Sequence, residues 1–141
     1  MELPFLQARK PDLTFVPIAL GTGRYEILEA LGNAIAEVVR AHNEPVLLIA
    51  SSDMNHYEND RITRVKDHKA IDPMLALDPQ GLFDVVTNEE ISMCGFGPTV
   101  AMLTATKRLG ATRVELVKYA TSGDVSGDRD MVVGYAGVVI W

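Results

Sequence analysis

Two kinds of apolar spacing run along this chain. Between residues 24 and 41, Leu28, Leu31, Ile35, Val38 and Val39 recur at steps of three and four, which places them on one face of an amphipathic helix. Elsewhere the apolar residues come in short unbroken runs. Residues 13–20 are mostly β-branched and apolar and end at Gly21 and Gly23, which predicts a strand running into a turn. Residues 46–50, opened by Pro45, are too few for a helix and have the character of a central strand covered on both faces.

The rest of the chain continues the alternation. A charged stretch over residues 60–77 reads as helical, and Asp78-Pro79 opens a short helix through Val86 with Asp78 as its cap. Pro98 fits the first turn of another helix, which Val100, Met102, Leu103 and Ala105 continue and Gly110 stops. Residues 113–120 and 131–140 predict two closing strands, joined by the polar stretch 122–130. This order predicts an α/β fold, layered α/β/α about a central mixed sheet, in a single domain over residues 1–141. Because the chain ends on a buried-type strand at Trp141, either that strand is tied into the sheet or another chain completes the sheet, and self-association is one way to do so.

Composition narrows the partners. At 48% hydrophobic, 141 residues suffice for one core. With 13 basic against 19 acidic residues, a net charge of -6 and no basic cluster, no nucleic-acid partner is expected. The apolar runs fall far short of the ~20 residues that span a bilayer. Met-Glu-Leu-Pro-Phe-Leu at the start lacks a signal peptide's basic flank, so a cytoplasmic protein without membrane contact is expected. The single cysteine, Cys94, fits a reducing compartment and is either a small buried hydrophobe or a free thiol. Its place in a loop just before a helix N-terminus is one where the helix dipole favours a thiolate.

The candidate chemistry lies after the run 46–50, where Ser51-Ser52-Asp53-Met54-Asn55-His56-Tyr57 replaces apolar with polar and ionisable residues; ligands of open α/β sheets bind beyond such strand ends. Asp53 and His56, three residues apart, can bind a divalent metal or do acid/base work. Equally, Asp53 can cap a turn while His56 makes a surface hydrogen bond. His42 ends a helix and His68 lies among charges, so both read as solvated. Gly21-Thr22-Gly23 lacks the remainder of a phosphate-loop pattern and reads as a turn.

Four stretches together resemble the Memo-like family, the B protein of the AmmeMemoRadiSam system, which is related to class III extradiol dioxygenases. They are Ser51-Ser52-Asp53-Met54-Asn55-His56-Tyr57; Ile91-Ser92-Met93-Cys94-Gly95-Phe96-Gly97-Pro98; Tyr119-Ala120-Thr121-Ser122 followed by Asp130 and Tyr135-Ala136; and Leu3-Pro4-Phe5. The resemblance implies that Asp53 and His56 line the family's pocket as catalytic residues and that Cys94, with His56, is a metal ligand for iron or copper. In active extradiol relatives that pocket holds non-haem iron for catechol ring cleavage, and Memo-like proteins replace some of those ligands. Two further histidine ligands of the family lie in an N-terminal half, so this chain is expected to be the C-terminal part, with an incomplete sheet and an incomplete metal site.

The function expected from the resemblance is therefore that of part of a metal-dependent redox protein, inactive alone and completed by a partner or by the missing N-terminal half. The alternative is a non-enzymatic module holding a protein or peptide in the same pocket. Catechol cleavage ranks last, because Asp53, His56, His42 and His68 do not make up a two-histidine, one-carboxylate triad.

Overall fold

The computed structural model describes residues 2–141. Nine elements follow one another: α1 (Leu3–Arg9), α2 (Tyr25–Ala41), β1 (His56–Glu58), α3 (Asp60–Leu75), α4 (Pro79–Asn88), α5 (Phe96–Leu109), β2 (Val114–Thr121), α6 (Gly123–Ser126) and β3 (Val132–Ile140). The mixture of helices with a small antiparallel sheet bears out the α/β class.

Local chemistry sets most of the boundaries. Asn59 caps α3 by accepting the Arg61 N–H, and Asp78 caps α4 by accepting the Gly81 N–H, with Pro79 in the first turn. Pro73 interrupts the hydrogen-bond ladder of α3, which stops two residues later at Leu75 rather than reaching residue 77. Leu77 has a φ of 52°, outside any helix. The helix expected from Pro98 begins at Phe96 and ends at Gly110, whose φ of 99° makes the left-handed cap that glycine adopts without strain. α1, which the apolar spacing does not predict, buries none of its residues.

The sheet has the order β1-β3-β2. β2 and β3 form an antiparallel pair from Val114 opposite Ile140 to Thr121 opposite Gly134, and β1 pairs antiparallel with the start of β3. The core gathers Leu28 of α2, Ile71 and Met74 of α3, Leu82 and Val86 of α4, Val100 and Leu103 of α5, and Ile91 and Met93 between α4 and α5. Burying such side chains contributes about 1.5–3 kcal/mol each, the main force assembling the helices.

Two expected strands are corrected. Residues 13–20 and 46–50 lie outside any strand, and Val16 is 84% and Leu47 74% exposed. A strand is stabilised by a neighbour's backbone ladder and by cover over its faces. Among the described residues neither run has a ladder partner, so the sheet holds three antiparallel strands and no parallel pair.

Candidate functional site

Two loops meet beside β1: residues 51–55, which lead into it, and residues 91–95, which lead into α5. The Gly95 N–H donates to Ser52 Oγ at 2.8 Å, and the Ser52 hydroxyl donates to the Asp53 carbonyl at 2.6 Å. A Cβ on Gly95 would meet the Ser51 carbonyl oxygen at 2.3 Å, so the loops approach too closely for any larger residue there. A second set of ties runs through Ser92. Its Oγ accepts the His56 N–H at 2.7 Å, while its own N–H and hydroxyl donate to Asn55 Oδ1 at 3.1 and 3.0 Å. Asn55 is wholly buried, and its Nδ2 donates to Glu58 at 2.6 Å and to Thr63 at 3.3 Å.

These ties gather a carboxylate, an imidazole and a thiol. One ligand atom each from Asp53, His56 and Cys94 lies within 4.8 Å of the others. His56 Nε2 is 3.7 Å from Asp53 Oδ2, and the Asp53 N–H donates to Cys94 Sγ at 3.2 Å. His56 Nδ1 faces the Ser92 carbonyl, an acceptor only, so Nδ1 is the donor there and Nε2 is turned toward Asp53. Metal-binding histidines are commonly oriented in this way by a carbonyl behind the ring. Tyr57 bends the chain directly after His56, with a φ of 57° at an irregularity in the β1–β3 register. Such a bulge re-aims the side chains next to it.

Behind the loops lies Asp67 of α3, wholly buried. Its Oδ1 accepts the Asn55 N–H at 2.8 Å and its Oδ2 the Tyr119 hydroxyl at 2.6 Å. Burial pushes the Asp67 carboxyl up from its ordinary value against the pull of those bonds, and burial together with the Asp67 bond pushes the Tyr119 hydroxyl up. At the start of α3, Asp60 bonds Arg64 and Arg129, and both arginines also reach Asp124. The Arg64 hydrogen bond leads in holding the Asp60 carboxyl well below the usual range. With every charge partnered, that cluster is a clasp between α3 and the β2–β3 connection.

The three histidines separate cleanly. His56 joins the donor group, His42 is the exposed C-cap of α2, and His68 lies on α3 with its Nδ1 2.7 Å from the Arg64 carbonyl and its ring against Tyr119. A cleft of about 360 Å³ between α2, α4 and α5 is lined by Glu29, Asp78, Lys107 and Arg108. It gathers no convergent donor set like that of the two loops. Ser52, Asn55, Ser92 and Asp67 were missed as contributors in the sequence. Ser52, Asn55 and Ser92 stand inside the stretches that carry the resemblance, but Asp67 carries no local signal.

The profile of the family described as Memo-like protein matches residues 1–139. Among curated proteins, a MEMO1 family protein of Methanosarcina mazei is 43% identical over 141 residues, covering 99% of this chain and 53% of that protein. Similar MEMO1 family proteins occur in Methanopyrus kandleri, 42% identical over 99% of this chain and 50% of the relative, and in Pyrobaculum aerophilum, 41% identical over 100% and 50%. The chain spans about half the length of the curated relatives it matches.

Proposed function

The chain belongs to the Memo-like protein family, and from that premise we propose that it carries one side of a transition-metal centre in a redox protein. The observation that supports this is the donor set: thiol, imidazole and carboxylate converge within 4.8 Å, with His56 Nδ1 committed to the Ser92 carbonyl and Nε2 turned toward Asp53. Cys94 and His56 would hold the ion, and Asp53 stands beside them as a further ligand or as a base. A thiolate and a carboxylate together neutralise a divalent cation, and the mixture of soft and borderline donors suits iron or copper better than magnesium or calcium. The bound ion would supply one-electron exchange. The chain's own residues hold the donors in place and, at Asp53, offer a carboxylate to take up a proton. Three donors from one side leave coordination positions for ligands from a further polypeptide or for substrate.

Elemental analysis of anaerobically purified protein, with and without the remaining half of the Methanosarcina mazei relative, tests the reading. A transition metal bound at one per chain in the combined sample, and lost in Cys94→Ser and His56→Ala, is the expected result. Absence of transition metal from the combined sample sinks the proposal.

A second reading, a protein- or peptide-binding module, is favoured by the exposed apolar side chains of Phe15, Val16, Ile18, Leu47 and Ile49, which another polypeptide could cover. The two readings part at Cys94→Ser. Under the metal reading redox activity goes, whereas partner binding survives the substitution under the other.

A further inference from the structure

We propose that Asp67 is the positioning residue of the donor group, setting the mutual placement of Asp53, His56 and Cys94 from behind. It touches none of the three through the hydrogen bonds described above. Its Oδ1 takes the Asn55 N–H, an amide between Asp53 and His56, and this fixes the loop's backbone where it enters β1. The Asn55 side chain then carries that placement across to the second loop, accepting the Ser92 N–H and hydroxyl. Ser92 in turn holds His56 twice, at the backbone N–H and at ring Nδ1, two residues before Cys94. One buried carboxylate thus stands at the root of a hydrogen-bonded chain that reaches both loops.

The fold keeps room for this group at a cost elsewhere. An added Cβ on Gly134 would fall 1.8 Å from Asp67 Oδ2, so the carboxylate occupies the space a side chain of β3 would fill. Gly134 itself accepts the Met54 N–H at 2.9 Å and donates to the Asn55 carbonyl at 3.0 Å, so loop, glycine and carboxylate pack as one unit. Tyr119 of β2 satisfies the second oxygen. A buried carboxylate used only for packing is readily replaced by an apolar group; this one has both oxygens committed, one of them to the loop that carries two of the three donors.

The test has two readouts, and only the affinity arm rests on the metal reading. In metal-free protein, ring nitrogen shifts report where the neutral His56 ring keeps its proton: the wild type shows it on Nδ1, and Asp67→Ala shows a mixture of the two tautomers. With Co(II) as the probe, Asp67→Ala weakens binding about 10-fold, the size of effect expected when a ligand's support is removed. Asp67→Asn keeps an oxygen for the Asn55 N–H and restores binding to within about 3-fold. Leu82→Ala, a destabilising change on α4, leaves the tautomer and the affinity of the folded protein as in the wild type. Where Asp67→Ala does not fold, Asp67→Ser, whose hydroxyl is too short to reach both partners, carries the same expectations. A wild-type tautomer in the folded alanine or serine variant overturns the proposal. Failure of the wild type to bind Co(II) counts against the metal reading alone, because the tautomer is read without metal.

Discussion

β3 and residues 46–50 are both apolar, strand-like runs, yet they meet opposite surroundings. β3 lies against β2 along most of its length and against β1 and the donor loop at its start, and Val132 is wholly buried. Residues 46–50 lead into the same donor loop but have no ladder partner among the described residues, and Val46, Leu47 and Ile49 are exposed. β3 finds its partner locally, because β2 precedes it across a short connection. Antiparallel pairing needs only such a turn, whereas a strand with no partner next to it in the chain depends on segments distant in sequence. Apolar character states that a segment seeks cover; it does not supply the cover.

The largest effect that sharpens this contrast comes from paired truncations. Leu103→Ala, in the core the sheet packs on, is expected to cost about 2–5 kcal/mol. Leu47→Ala, in the uncovered run, is expected to stay within about 0.5 kcal/mol. Urea unfolding of the two variants measures both, and equal losses would break the comparison.

Gly134→Ala comes next. The added methyl collides with Asp67, and overpacking of this kind costs about 1–3 kcal/mol. A midpoint unchanged from the wild type would show that α3 and β3 are not locked together as described.

Which parts were legible follows from the same distinction. α4 and α5 announced themselves through Asp78, Pro79 and Gly110, signals that act within a few residues, and α2 through its apolar stripe. β2 and β3 were legible because they pair with each other. Residues 13–20 and 46–50 misled because their pattern presupposes neighbours. At the site, Asp53 and His56 were visible from spacing, and Cys94 was drawn to them by family resemblance. Asp67 was hidden: in the run Lys66-Asp67-His68-Lys69 it reads as one charge among several on a solvated face. Only packing against Gly134 and Tyr119 makes it the buried member of that run.

The acid response is a smaller effect and separates two carboxylates of the packed region. Asp60 titrates below its ordinary 3.8 in the folded protein, so its contribution is present at neutral pH and is lost as pH falls below 3.8 toward the folded value. Asp67, raised by burial, has the opposite sign: stability falls as pH rises from 3.8 through its folded value, because the unfolded chain gives up the proton first. Denaturant midpoints from pH 3 to 7 should therefore show a shallower loss on acidification in Arg64→Gln and a steeper rise toward neutrality in Asp67→Asn. Parallel profiles in all three proteins would contradict the assignment.

The smallest effect concerns residues 46–50 directly, through hydrogen exchange. The β3 amides that donate to β2 open only with the sheet and should exchange slowly, whereas amides of residues 46–50, lacking acceptors among the described residues, should exchange near the rate of an open chain. Adding the remaining half of the Methanosarcina mazei relative offers a partner of matching kinship. If residues 46–50 are a strand awaiting its ladder, their amides slow in that mixture while those of β3, already paired, barely change. Slow exchange of residues 46–50 in the chain alone would mean that the run is already covered, and the contrast with β3 would fall.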